Sequence, residues 1–339
     1  MLCKVEHGPY HHVYVSPHFD DVIFSCGGTL ARHARERESV LVLTVCSGTV
    51  AGTGAFGARS GQQRRGEERS LAAFEDLELR RDEDRRALGT LGAHSLWLGE
   101  DDAIARDRRY RSLPGATGRP RHADAALVRR IEHALRSLPL ASGARVCFPL
   151  GVGNHVDHQL AFAAGVRLSR EPAFDAHVSF YEDVPYVLIP HALRQRMGSL
   201  RRRGGVRWQR APGLQTTGGV AARAAESAAA LRALPLVARE LTPLSRIALP
   251  LYVLALQLQL LPGWRAELPT GAVLAPQQLD VSTEREAKLA SIACYASQVA
   301  TIMGTMENLA RALERYAAAL LPGARAAERF WRLQPGSAR

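Results

Sequence analysis

Five apolar runs are spaced along the first 190 positions: HVYVS (12–16), SVLVLTVCS (39–47), AHSLWLG (93–99), ARVCFPL (144–150) and HVSFYEDVPYV (177–187). The second is continuously apolar, the mark of a strand buried on both faces of a parallel sheet. Helical patterns fall between the runs, at 26–38, within 62–92, at 123–138 and from about residue 157. Strand–helix–strand alternation leaves few topologies. Right-handed crossovers give a Rossmann-like, mostly parallel α/β sheet with helices on both faces. Ligands of such sheets collect beyond the carboxyl ends of the strands.

The pattern changes after residue 190. AARAAESAAALRALPLVA (221–238) is built of strong helix formers. RIALPLYVLALQLQLLPGW (246–264) is the most apolar window, but Pro250, Gln257, Gln259 and Pro262 interrupt it. It falls short of the roughly 20 clean residues a membrane span needs. It reads as a buried or partner-facing segment, so no transmembrane segment is expected. Residues 282–321 pattern as one or two long helices. The expected organisation is a catalytic core at 1–190, a variable insertion at 191–280 facing substrate or partner, and a mainly helical C-terminal extension at 281–339 packing back on the core.

Two polar clusters stand where such a sheet would gather a ligand. SPHFDDVIFSCGG (16–28) follows the first strand and GVGNHVDHQ (151–159) follows the fourth. Adjacent carboxylates repel, so Asp20 and Asp21 need a cation beside them; a divalent ion would supply it. Taken singly, the pair is an ordinary turn and Asp157 an ordinary helix cap. Taken together, His18, Asp20, Asp21, His155, Asp157 and His158 offer the nitrogen and oxygen donors of a three-ligand catalytic zinc site, with groups to spare for acid–base work.

These two motifs resemble those of the PIG-L/LmbE-like deacetylases, zinc-dependent enzymes that remove acetyl groups from N-acetylglucosamine-type amines. Arg80-x-x-Glu83-x-x-x-Ala87-x-x-x-Leu91-Gly92, Leu98-Gly99-x-x-Asp102, Tyr181-Glu182-Asp183-Val184-Pro185-Tyr186, and Lys288 with Tyr295-x-Ser297-Gln298 extend the resemblance. It implies an LmbE-like fold and one Zn2+ per chain, with other divalent metals left open, held by His18, Asp21 and His158. It further implies Asp20 as general base, a protonated His155 as electrophile, Asp157 as its orienting partner, and Arg80 and Asp102 as substrate contacts. The implied partner is a small-molecule amino-sugar conjugate or secondary metabolite, cleaved to free amine and carboxylate. Phe19 and Val22 depart from the usual proline and glutamate, and Gly153 stands where some members place a tyrosine that helps the oxyanion.

Rival readings rest on weaker features. The net charge is +11, and Arg194, Arg196, Arg201, Arg202, Arg203, Arg207 and Arg210 form the densest basic cluster, beside Trp208. This allows a non-catalytic, nucleotide- or nucleic-acid-binding α/β protein as the alternative. With one aromatic nearby and no recognition motif, no nucleic-acid partner is expected. GTGAFG (52–57) matches a dinucleotide fingerprint by letter, but helical pattern does not follow it directly, so it reads as a loop. The five cysteines are scattered, without C-x-x-C spacing, and MLCKVEHGPYHH lacks the apolar stretch of a signal peptide. Reduced thiols and a cytoplasmic location follow as expectations. Homo-oligomerisation is left open. Cys26 reads as a packed thiol, and His11, His12 and His94 as surface or strand-edge histidines.

Overall fold

A computed structural model describes residues 8–48, 77–204, 206–212, 214, 218–240, 243–258 and 272–334. The fingerprint-like loop at 52–57 lies outside them, as do residues 62–76 of the expected charged helix and 259–264 of the apolar window. All five expected strands are present: β1 (Tyr10–Ser16), β2 (Val40–Thr44), β3 (His94–Trp97), β4 (Leu140–Pro149) and β5 (Ala176–Tyr181). They pair in parallel, β1 lying between β2 and β4. Three further strands complete one sheet of order β3-β2-β1-β4-β5-β8-β7-β6, where β6 is Arg207–Trp208, β7 is Val273–Asp280 and β8 is Ala327–Gln334.

Period-two alternation sends β1 side chains to two separate cores. Val13 and Val15 join Leu41, Leu43, Val146 and Phe148 on one face. There α3 (Ala125–Arg136) and α4 (Val156–Leu168) bury Leu127, Ile131, Leu160 and Phe162. Tyr14 joins Val40, Val42 and Cys147 on the other face, under Phe24 of α1 (Asp21–Arg35) and Leu88 of α2 (Leu77–Thr90). Each such large apolar side chain contributes about 1.5–3 kcal/mol on burial. The result is the parallel α/β core that the sequence pattern predicts.

Two departures concern the C-terminal part. Residues 282–321 form three helices, Arg285–Ala293, Ala296–Ile302 and Met306–Leu320, not one or two long ones. Moreover, β7 and β8 add to the sheet itself, β8 running antiparallel to β5 with Phe180 opposite Trp331. β8 carries two buried charges, each paired. Glu328 accepts from Lys288 Nζ at 2.7 Å, and Arg329 donates to Glu182 at 2.6 Å. Glu328 also accepts from the backbone of Gly28 at 2.9 Å. A Cβ at Gly28 would lie 2.7 Å from Val281, so only glycine lets the C-terminal segment seat this close to α1.

The basic cluster does not form a continuous surface. Arg196 is buried, donates to Leu150 O at 2.8 Å and lies 4.7 Å over the Phe162 ring. The apolar window is helical from Pro243–Gln257, burying Leu249 and Val253 against Ala224 and Ala228 and exposing Ile247 and Leu251. Among the described residues, no helix is long and apolar enough to cross a membrane. Cys26 is a fully buried thiol in α1, as expected.

Candidate active site

The crossover from β1 to β2 is what aims the first cluster. The chain leaves β1 at Ser16 and enters α1 at Asp21, five residues earlier than the helical pattern suggests. The first turn of a helix welcomes a carboxylate, and Asp21 accepts from the backbone N of His18 at 2.8 Å. The loop after β4 does the same for the second cluster. Gly151, Gly153 and Asn154 all have positive φ, 80°, 86° and 59°, and the chain then enters α4 with His155 at its cap.

The two clusters meet. Asp21 Oδ2 lies 3.2 Å from His18 Nδ1 and 3.3 Å from His158 Nε2. On its other edge, His18 Nε2 lies 3.2 Å from Asp157 Oδ2 and 3.4 Å from Asp102 Oδ2. His18, His155 and His158 each present a nitrogen within 4.8 Å of the others. Their rings are inclined by 46° to 76°, not parallel. His158 is fully buried, while the side chains of His18, His155 and Asp102 keep 12%, 16% and 17% of their surface open. The cleft is therefore reached from the His18, His155 and Asp102 side.

His158 carries the clearest sign of a cation site. Its Nδ1 lies 2.7 Å from Asp183 Oδ1, and Asp183 Oδ2 is fixed by the backbone N of Val152 at 2.8 Å. With Nδ1–H donating to Asp183, the lone pair sits on Nε2. That atom is buried and without a hydrogen-bond partner. It faces the carboxylate oxygen of Asp21, so two electron-rich atoms stand 3.3 Å apart. Only a cation between them, proton or metal, makes that stable. A carboxylate behind a histidine is also the usual outer support of a metal ligand. The donor chemistry fits a divalent ion: Asp21 or His155 completes a triad with His18 and His158.

Charge is tightly managed. Burial pushes the His18 imidazole down, but Asp102, Asp157 and Asp21 push harder, and it is held well above its usual range. Burial raises the Asp21 carboxyl, yet His158 and His18 bring it down to about 2. Burial raises Asp20, its neighbour Asp21 adds to that, and Arg80 partly offsets both.

Several expected residues stand differently from their anticipated roles. Arg80 is buried, 3.6 Å from Asp20 Oδ1 and stacked 5.3 Å over Phe19. Its side chain is 4% exposed, so the contact it makes most directly is with Asp20. His155 is pushed down to about 4, by burial first, against the opposing charge of Asp157 at 3.8 Å. Burial thus works against the protonated imidazole that the resemblance implies. Its Nδ1 accepts from the backbone N of Asp157 at 3.4 Å, which leaves Nε2–H as donor. Asp157 is engaged mainly elsewhere, with Arg106 and with the backbone N of Ala103 at 3.0 Å. Asp102 stands at the cleft, capping the turn at Ile104 through its other oxygen.

Asp183 and Arg106 were missed by sequence reasoning. An acid directly after the fifth strand was the available signal for Asp183. Arg106 lay in an arginine-rich loop that gave none. Cys46, which brings Sγ within 4.8 Å of His18 and Asp157 donors, was also missed.

The chain is thus an α/β protein with a buried His/Asp cluster beyond its parallel strand ends, a candidate cation site. Residues 13–169 match the family described as PIG-L: GlcNAc-PI de-N-acetylase. A 2'-N-acetylparomamine deacetylase of Niallia circulans is 32% identical over 190 residues, covering 51% of this chain and 66% of that protein. A second, from Streptomyces fradiae, is 35% identical over 191 residues, covering 54% and 62%. The matches thus span somewhat less than two thirds of these relatives. The fold is similar to that of the A40926 pseudoaglycone deacetylase, with a TM-score of 0.59, 20% identity, and 98% and 100% of the two chains covered.

Proposed function

We propose that the protein is a metal-dependent amide hydrolase that removes an N-acetyl group from an amino-sugar-containing secondary metabolite. The observation that carries this is the buried, partnerless Nε2 of His158 facing Asp21, at the same strand ends as His18. The relatives named 2'-N-acetylparomamine deacetylase support the substrate class. His18, Asp21 and His158 would hold the ion, because Asp21 Oδ2 lies within 3.3 Å of both imidazoles and brings negative charge. Zinc suits this nitrogen–oxygen donor set. When bound, it would lower the pKa of a water from 15.7 toward ~7 and polarise an acyl oxygen.

The chain's own residues do the rest. Asp20, whose burial and neighbour Asp21 raise its proton affinity, accepts a proton from the attacking water. His155 donates through Nε2–H to the acyl oxygen as charge develops there. A neutral imidazole serves as electrophile when its protonated form is disfavoured. Asp20 then returns its proton to the departing amine. Asp102 stands at the open edge of the cleft, where a sugar hydroxyl would meet it.

The experiment is acetate release from a panel of N-acetylated amino sugars, including 2'-N-acetylparomamine, with and without chelator. Chelator-sensitive release from an aminoglycoside-type substrate is expected. No release from any member by zinc-supplied protein would overturn the reading.

A further inference from the structure

Tyr186 occupies a singular place. It lies just after β5, in the turn Tyr186–Leu188. Its ring fills the volume above Gly153: a Cβ there would fall 2.6 Å from Tyr186 Cδ1 and 2.7 Å from Cγ. The same ring stands edge-to-face with His158, centroids 5.4 Å apart at 88°. Glycine at 153 therefore leaves room for this ring beside His158.

The phenol is the second observation. The chain has eight tyrosines. Seven place their hydroxyls against a protein partner, as Tyr181 does on Val15 O and Tyr295 on Asp84. Tyr186 alone bonds no described residue. A phenol beside His158 with no partner among the described residues has one obvious use next to an amide carbonyl.

We infer that Tyr186 is a catalytic residue that donates a hydrogen bond to the acyl oxygen of the amide as the tetrahedral intermediate forms. This rests on the proposed amide hydrolysis. Water adds to the acyl carbon, the C=O double bond becomes single, and the charge gathers on that oxygen. The phenol O–H stays intact throughout and no proton leaves it. Tyr186 and His155 then flank one oxygen, the arrangement of an oxyanion hole.

The test is Tyr186→Phe, which keeps the ring over Gly153 and against His158. Loss of one such donor costs about 10²–10³-fold in kcat. The expected result is that loss with KM within about threefold and bound metal unchanged. A second arm needs no turnover: methylphosphonate, a tetrahedral mimic of the oxyanion, is titrated calorimetrically into metal-loaded protein. Its Kd should rise at least about tenfold in Tyr186→Phe. Parent-like kcat, or parent-like methylphosphonate affinity, would overturn the assignment. If the parent releases no acetate at all, the amide-hydrolase reading fails, and the methylphosphonate arm still decides the tyrosine's role.

Discussion

Two His-and-carboxylate clusters occupy opposite ends of β1, and only one has the geometry of a metal centre. At the carboxyl end, the rings of His18, His155 and His158 are mutually inclined, and His158 Nε2 has no hydrogen-bond partner. At the amino end, His12 and His33 also bring donors within 4.8 Å of one another together with Glu38. There, however, the two rings stack at 3.5 Å and 14°. No point lies near both ring planes, so one ion cannot meet both lone pairs head-on. The nitrogens are also engaged. Glu38 Oε2 lies 2.7 Å from His12 Nε2 and 2.8 Å from His33 Nδ1, and Tyr14 OH lies 3.2 Å from His33 Nε2. Proximity of donors is common to both clusters. Orientation and an unmet lone pair separate a metal centre from a carboxylate-clasped histidine pair.

The sharpest way to break this contrast is to remove one imidazole from each end. His158→Ala should lower acetate release by more than ~10³-fold, since the proposed metal ligand is removed. His33→Ala should leave kcat within about twofold. Equal losses would erase the distinction.

The next largest effect belongs to the stacked pair. Burial, then His12, brings His33 down from 6.5 to about 4, and burial also lowers His12. Arg145 and His11 reinforce this, and Glu38 opposes it. Below pH 6.5 the unfolded chain takes up a proton that folded His33 refuses. Stability should therefore fall as pH drops from 6.5 toward 4, by at most about 3 kcal/mol from His33. Urea melts of the parent and of His33→Phe check it. The variant should show a shallower slope over that window.

Asp183→Asn tests the support behind His158. Such a change typically weakens metal binding by about 10–100-fold, readable by competition with a chromophoric chelator. Smallest of all, Tyr14→Phe should cost about 1 kcal/mol of stability through the lost His33 contact, with metal affinity unchanged.

How much of this was legible in the sequence follows the same division. The parallel strands were legible because burial on both faces leaves an uninterrupted apolar run, as in VLVLT of β2. β7 and β8 were not. Pro276 and two glutamines interrupt the first, and Glu328 and Arg329 place charges in the second. Those charges are tolerated because Lys288 and Glu182, distant in sequence, meet them. The start of α1 was obscured because Val22, Ile23 and Phe24 are weak helix formers, so the helical pattern shows only from residue 26. At the site, the histidines and paired aspartates were visible from spacing after strands. Their electrostatics were not. The lowered proton affinity of His155 comes first from burial, and Arg80 is buried with Phe19 stacked against it. His12 looked like an edge histidine, yet it is buried under the Glu38 clasp.

The most direct measurement is metal content after dialysis against excess zinc, by elemental analysis, for three proteins: the parent, His158→Ala, and the double variant His12→Ala/His33→Ala. The account predicts one ion per chain in the parent, none in His158→Ala and one in the double variant. Retention by His158→Ala, or loss in the double variant, would contradict it.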